Sequence, residues 1–263
     1  MALSTWWRED KERHAEKIKS PADLADVWIK ALDSIAEEGL LGWIEFVDFN
    51  NEFPIKVWTP YLVDGFIRNS PEGKKWMSES IELVRQKYPE LDYTFSFTTE
   101  YETWETEDVS YLDLLELHIW MVQVTDFYPK TGYKYTPWGT ESYRNLQLNG
   151  EKEYRSNEKY YLDKLAEHIE ARAAWSRASG LAIGTTECWG IIDYKDYPLL
   201  DWGWVMEICE FGTLEAAKKG RWKYIATSNF CGPQFAGMWR EIEWHKRLTD
   251  QIRKSPLDED LLS

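Results

Sequence analysis

The 263-residue sequence has few cysteines, no long hydrophobic run and no recognisable targeting segment. Cys188, Cys209 and Cys231 are an odd number at unrelated spacings, which argues against a disulfide framework or a zinc site and favours a reducing compartment. No apolar run is long enough to span a bilayer, and the first ten residues lack the basic and apolar regions of a signal peptide. We therefore expect a cytoplasmic protein.

Basic side chains are also scarce, with 31 Lys and Arg against 46 Asp and Glu, giving a formal net charge of −15. A charge of this sign repels the phosphates of nucleic acids and anionic membranes, so we expect neither as a partner. Apolar residues make up 43% of the chain, which is enough for a sizeable core. We predict a single domain over residues 1–263.

Aromatic side chains are abundant instead, with 16 tryptophans and 15 tyrosines. Flat aromatic faces stack on the C–H faces of sugar rings, and the polar tips of Trp and Tyr reach hydroxyl groups. Most of these residues belong in a core, which is the simpler interpretation for any one of them. Those that fall in loops near polar clusters are candidates for binding carbohydrate.

Two apolar runs end in a glutamate. Residues 43–49 lead to Asn51-Glu52 and break at Pro54, and residues 180–186 lead to Glu187. Each pattern predicts a buried strand with a carboxylate at its C-terminal end, where parallel α/β folds place their chemistry. One such glutamate alone most simply caps a strand or pairs with a base. Two together favour a shared site, and glycoside hydrolysis needs two carboxyl groups.

Helix and strand patterns alternate along the whole chain. Ser20-Pro21 and Ser70-Pro71 are typical helix starts, with Ser at the N-cap and Pro in the first turn. This alternation predicts a parallel sheet with crossover helices, and the polar clusters then lie at the C-terminal face of a (β/α) barrel. We predict six strands, which contain in turn Leu3, Val47, Phe95, Leu117, Ile183 and Ile225.

Further candidates follow other predicted strands. Residues 112–120 are predicted as one strand, with His118 and Trp120 on one face near its end, where a His can hydrogen-bond a carboxylate or a sugar. Residues 128–154 are predicted as a long aromatic loop, and loops of this length are usually functional or disordered. Its candidates for a binding wall are Tyr133, Tyr135, Trp138 and Tyr143, and other candidates for sugar contact are Trp6, Trp58, Tyr61, Trp189 and Asn229.

These motifs resemble those of the clan A glycoside hydrolases, the retaining barrel enzymes that include the family 5 cellulases. Asn51-Glu52 resembles their strand-four Asn-Glu, and Glu187 resembles their strand-seven nucleophile. His118 resembles the strand-six His of their His-x-Tyr pattern, with Trp120 in place of the Tyr. The run from 222 to 239 resembles the last strand and helix of the cellulase-like branch, so that the resemblance covers residues 1 to about 254.

The resemblance implies an α/β fold: an incomplete TIM-type (β/α) barrel of about six β/α units, strands three to eight of the usual eight. It implies a retaining hydrolase of β-linked glucans or oligosaccharides, with Glu187 as nucleophile and Glu52 as acid/base. Asn51 would contact the sugar 2-hydroxyl and His118 would orient a carboxylate. No metal or cofactor is implied. We expect a dry neighbourhood to raise the pKa of Glu52, and the candidates to provide it are Trp43, Phe53 and Trp189.

Six strands leave two open edges. Either the edges bend together around a small, incomplete barrel, or two chains pair and cover each other, and we favour the homodimer. In the relatives, an arginine from strand two helps to hold the nucleophile, and no arginine of this sequence can be assigned to that place. A carbohydrate-binding barrel remnant with little or no hydrolysis is therefore the alternative. A gene fragment that folds without a biological role is a third interpretation.

Overall fold

A computed structural model of the chain describes residues 1–7, 10–98, 107–134, 140–192, 201, 203–228 and 241–262. The chain divides into two compact units, Met1–Leu117 and His118–Ser263. Each unit is an assembly of short parallel strands and α-helices, which confirms the predicted α/β class. The single domain and the incomplete barrel stay predictions.

The first unit is built on parallel strands, and all of them except the largely exposed first strand are buried on both faces. β1 (Ala2–Ser4), β2 (Phe46–Asp48) and β3 (Tyr93–Thr94) pair in that order, with Leu3 opposite Val47 and Val47 opposite Tyr93. β4 (Leu114–Glu116) follows, and a parallel bridge joins Phe97 to Leu117 beyond the ends of β3 and β4. Burial on both faces explains why these strands are continuous apolar runs without alternation.

Two helices of the first unit begin where the sequence predicts. α1 (Pro21–Glu37) and α2 (Pro71–Arg85) have serine N-caps, and the caps accept hydrogen bonds from Asp23 N at 3.3 Å and Gly73 N at 3.0 Å. Each cap satisfies a backbone N–H that lacks a partner in the first turn. Gly39, at φ +70°, turns the chain out of α1 toward β2.

The second unit contains two pairs of parallel strands and five of the described helices. β5 (Ile119–Trp120) pairs with β7 (Cys188–Trp189), and β6 (Ala182–Thr185) pairs with β8 (Trp222–Ile225). The helices are α3 (Phe127–Thr131), α4 (Thr140–Ser156), α5 (Glu158–Ser179), α6 (Gly203–Ala217) and α7 (Ile242–Lys254). Within the described ranges, no helix is long and apolar enough to cross a membrane.

Two expectations about elements are wrong. Residues 128–154 do not form a long loop, because α3 and α4 occupy most of this stretch. Tyr133 and Tyr143 are buried, and Tyr133 stacks on Tyr128 at 4.4 Å, so they form core and not a binding wall. The predicted strand 112–120 is divided into β4 and β5, and the boundary between the two units lies between them.

Candidate active site

A buried carboxylate organises the end of β2. Asp48 is the last residue of the strand, and its Oδ2 accepts hydrogen bonds from Ser4 Oγ at 2.7 Å and Ser96 Oγ at 2.9 Å. Ser96 N donates to the other oxygen at 2.8 Å. A buried carboxylate needs such partners because it leaves water on folding. Asp48 thus ties together the residues that follow β1, β2 and β3; sequence analysis missed it inside an apolar run.

Glu52 lies four residues beyond Asp48 in a constrained backbone conformation. Its φ is +48°, in the left-handed region, and its N–H donates to Ser96 Oγ at 2.7 Å. A non-glycine residue in this region costs about 1–3 kcal/mol and persists where surrounding contacts over-determine it, most often at functional sites. The Phe53–Pro54 peptide after it is cis. The half-buried Glu52 side chain is therefore placed by its backbone.

Two tryptophans lie beside the Glu52 carboxylate. Trp58 Nε1 donates to Glu52 Oε2 at 2.8 Å, and the Trp58 ring lies 4.9 Å from the ring of Trp6 at an angle of 42°. Trp6 is 56% exposed. The exposed face of this indole is accessible to a sugar ring. The sugar contact of Trp6 stays a prediction.

Arg68 supports the loop that contains Glu52. The guanidinium is fully buried, with Nε 2.9 Å from Glu107 Oε1 and its carbon 3.3 Å from the centroid of the Phe97 ring. It also donates to the carbonyls of Phe53 and Ser96, each at 3.2 Å. One side chain thereby joins the residue after Glu52 to the residue that binds the Glu52 N–H. No sequence pattern marks Arg68, because it lies in an irregular loop.

The two asparagines before Glu52 differ in their hydrogen bonding. The Asn50 amide is bonded to the hydroxyls of Thr5, at 2.9 Å, and of Tyr61, so it is a structural group. Burial raises the pKa of the Tyr61 phenol, which keeps it a hydrogen-bond donor. The buried Asn51 Nδ2 has no acceptor among the residues that the structure describes. Asn51 therefore keeps a donor for another molecule.

Glu187 lies in the second unit between β6 and β7. Its backbone carbonyl accepts a hydrogen bond from Ile119 N at 3.2 Å, which ties it to β5. Its Oε2 lies 3.8 Å from Nδ1 of His118, and the His118 side chain is 1% exposed against 21% for Glu187. The distance is too long for a good hydrogen bond and short enough for electrostatic attraction to a protonated imidazole.

Tryptophans near Glu187 have a packing role. Trp189, joined to Cys188 by a cis peptide bond, has no exposed surface, and its Nε1 donates to the carbonyl of Ala226 at 3.0 Å. Trp120 is likewise fully buried in β5. These buried positions do not support the predicted sugar contacts of Trp120 and Trp189, because a sugar ring needs an accessible indole face.

The expected surroundings of Glu52 also need a correction. Trp43 is 68% exposed and precedes β2, whereas Glu52 follows it, so Trp43 lies at the wrong end of the strand to dry the carboxylate. Phe53 is buried against Phe95, with ring centroids 4.9 Å apart, and remains next to Glu52. Three other predicted contacts, Tyr135, Trp138 and Asn229, lie outside the described residues.

Gln123 and the buried His168 form a polar pair next to β5. Gln123 Oε1 accepts a hydrogen bond from Trp120 N at 3.0 Å and lies 3.3 Å from Nε2 of His168. Burial, aided by the charge of Arg172, lowers the pKa of His168 to about 3. His168 is therefore neutral near pH 7 and donates its Nε2–H to Gln123. This pair fixes the backbone two residues after His118.

Comparisons with known proteins identify the family of the chain. The sequence profile of a family described as "Sugar-binding cellulase-like" matches residues 1–253. A crystal structure from Parabacteroides distasonis ATCC 8503, of a protein with the provisional name glycoside hydrolase, is 44% identical with a TM-score of 0.94. The match covers 100% of this chain and 71% of that one. Among curated proteins, no match was found. The chain belongs to the cellulase-like family.

Proposed function

We propose that this protein is a retaining glycoside hydrolase that cleaves β-linked glucans or their oligosaccharides. Membership of a sugar-binding family and the provisional name of the similar crystal structure support a glycosidase. The observation that carries the proposal is the group formed by Glu52, Trp58 and the exposed Trp6. It combines a carboxyl group for proton transfer with an aromatic face for a sugar.

The two glutamates have complementary roles in a double displacement. Glu187 attacks the anomeric carbon while Glu52 protonates the leaving oxygen, which forms a covalent glycosyl–enzyme. Glu52 then removes a proton from water, and the water displaces Glu187. This mechanism needs about 5–5.5 Å between the two carboxyl groups. The position of each glutamate within four residues of the end of a parallel strand supports the assignment.

Neighbouring residues position the substrate and the nucleophile. Asn51 donates its free amide hydrogens to the 2-hydroxyl of the sugar, where hydrogen bonds strengthen in the transition state. His118 faces Glu187 from the interior and orients its carboxylate. Trp6 stacks on a sugar ring. Asn229 would contribute another sugar contact.

Hydrolysis of aryl β-glycosides tests the assignment. Glu187→Ala removes the nucleophile, so it should abolish turnover of every substrate. Glu52→Ala should lose about 10²–10⁴-fold with poor leaving groups, the usual contribution of general acid catalysis, and much less with a dinitrophenyl leaving group that needs no proton. Unchanged turnover in either variant would reject the proposal. Glu45→Ala, at an exposed glutamate before β2, is the matched control and should keep wild-type activity.

A carbohydrate-binding barrel remnant is the second candidate, favoured by the same exposed Trp6. Such a protein would bind cello-oligosaccharides and release no product. Incubation with cellohexaose distinguishes the two functions, because shorter oligosaccharides would appear only with an active hydrolase.

We also propose that the chain forms an incomplete barrel with an open edge at β1, which pairs with β2 in the first unit. An open edge presents unpaired backbone groups that a second copy of the chain can cover. A homodimer is therefore expected by light scattering at micromolar concentration, and a monomer would contradict it.

A further inference from the structure

Trp58 is held in place by the same turn that begins at Glu52. Ile55 N donates to the carbonyl of Glu52 at 2.8 Å, and Trp58 N donates to the carbonyl of Ile55 at 2.9 Å. Thr59, which is fully buried, closes this turn through its hydroxyl, which donates to Pro54 O at 3.0 Å. These turns of the backbone therefore place the Trp58 indole beside the Glu52 side chain.

The chemistry of an indole N–H limits what Trp58 does to the carboxyl group. The indole N–H is a donor only and does not ionise near neutral pH. Because it donates to Oε2 in both protonation states of Glu52, it makes that oxygen the less basic of the two. The proton that moves in catalysis then belongs on Oε1. A donor also stabilises the charged carboxylate more than the neutral acid.

We propose that Trp58 is a positioning residue that assigns the mobile proton of Glu52 to Oε1 and directs it toward a leaving-group sugar on Trp6. The inference rests on the proposed function. In the first step Glu187 bonds to the anomeric carbon, the bond from that carbon to the glycosidic oxygen breaks, and its electron pair takes the proton from Oε1–H. In the second step Oε1 takes a proton from water, the water oxygen bonds to the anomeric carbon, and the bond to Glu187 breaks with its electron pair.

The place of Trp6 follows from the same geometry. The glycosidic oxygen that Glu52 protonates stays with the leaving group, so the leaving-group sugar is on the Glu52 side of the broken bond. Trp6 offers an exposed face 4.9 Å from the Trp58 ring. Loss of the Trp6 face should therefore weaken binding of oligosaccharides, whose leaving-group sugar stacks on that face.

The test is the pH profile of kcat/KM for Trp58→Phe, which keeps a ring against Trp6 and removes the N–H. Activity with a poor leaving group falls at high pH because Glu52 loses its proton. Without the indole donor the carboxylate is less stable, so the pKa of Glu52 should rise. The fall of activity at high pH, the basic limb of the profile, should then lie about one pH unit higher, as expected for the loss of one hydrogen bond to a charged group. A limb that stays in place would overturn the inference, even with reduced kcat.

Two comparisons separate this inference from its alternatives. Trp28→Phe removes another indole N–H of the first unit, one that donates to a backbone carbonyl at 3.2 Å, so it should leave the basic limb unmoved. Trp6→Ala should raise KM for cellotetraose about tenfold, by loss of stacking worth about 1.4 kcal/mol, with the limb in place. If Glu52→Ala is active, the proposed function fails; if it is inactive and the Trp58→Phe limb is unmoved, only the role of Trp58 fails.

Discussion

The chain segments that carry Glu52 and Glu187 are held in place by different kinds of contact. After β2 the chain is held by polar contacts: Asp48 binds Ser96, Ser96 binds the Glu52 backbone, and Trp58 binds the Glu52 carboxylate. After β6 the chain is held mainly by packing, because Trp189 is fully buried and lies against Gly212 of α6. Glu52 has a hydrogen bond on its carboxylate and another on its backbone N–H, whereas Glu187 is followed after one residue by a buried, tightly packed tryptophan.

This difference matches the proposed division of labour. An acid/base residue changes charge twice in each cycle, and preformed donors stabilise its charged form without reorganisation. A nucleophile must reach one carbon at a fixed angle, so rigid placement contributes most. The comparison predicts that polar substitutions disturb the Glu52 end and that volume changes disturb the Glu187 end.

Removal of the Arg68 charge should give the largest loss of stability. Arg68→Met keeps an apolar chain of similar length but leaves Glu107 as a buried charge without its partner. Breaking a buried ion pair on one side costs about 3–5 kcal/mol. We expect the free energy of unfolding in urea to fall by this amount. The Glu52 loop should also lose protection from hydrogen exchange.

Arg85→Met is the matched control. Arg85 binds Asp113 at 3.0 Å in the same unit, but both side chains are partly exposed, at 30% and 25%. Solvent screening limits such a pair to about 1 kcal/mol. Equal losses of unfolding free energy in the two variants would contradict the special role given to Arg68.

Local signals explain which parts of this comparison are predictable. The serine caps at Ser20 and Ser70, and the carboxylates of Glu52 and Glu187 after apolar runs, follow from patterns within a few residues. Arg68 meets Glu107 across 39 positions, so no local pattern reports the contact. Tertiary packing decides such contacts.

The same reasoning explains the helix that was predicted as a loop. α4 has its buried residues at three- and four-residue spacing, which is a helical period. Its apolar stripe is short of aliphatic residues, however, and includes a glycine, which is a poor helix former. The aromatic composition of the stretch outweighed the period in the prediction. The buried stripe is Tyr143, Leu146, Gly150 and Tyr154.

Gly212→Ala should give the next largest effect, at the Glu187 end. A Cβ at this position would lie 2.7 Å from Cγ of Trp189, and the buried ring cannot retreat. Overpacking of about 3 kcal/mol, less about 1 kcal/mol of improved helix propensity, predicts a net loss of about 2 kcal/mol. Thermal unfolding measures it, and kcat should fall because Trp189 closely follows Glu187.

The control is Gly190→Ala, whose Cβ would meet Ile208 at an ordinary 3.5 Å. Its stability should stay within about 1 kcal/mol of the wild type. If both alanines were equally tolerated, the packing against Trp189 would not be what holds the Glu187 end.

The buried His168, in the second unit, should make the folding stability decrease as the pH falls. Its folded pKa, about 3, lies below its unfolded value, so between about pH 6.5 and pH 3 the unfolded chain binds a proton that the folded chain does not. Folding stability therefore decreases by about 1.4 kcal/mol for each pH unit below 6.5.

His168→Gln isolates this contribution, because an amide still donates to Gln123 and does not titrate. Urea unfolding at pH 7, 6 and 5 should show a shallower decrease for the variant than for the wild type. Parallel decreases would mean that His168 is protonated in the folded protein.

Ser4→Ala should give the smallest effect and tests how redundant the polar Glu52 end is. It removes the hydrogen bond at 2.7 Å to Asp48 Oδ2, but Ser96 still donates to both Asp48 oxygens. We expect a loss of about 1 kcal/mol in urea unfolding, with activity preserved, since the Ser96 contact to Glu52 is intact. Ser34→Ala, at an exposed serine that donates to Lys30 O, is the control and should change stability little. A large loss of activity in Ser4→Ala would show that Asp48 depends on every one of its hydrogen-bond donors. The segment around Glu52 would then tolerate as little change as the packed segment around Glu187.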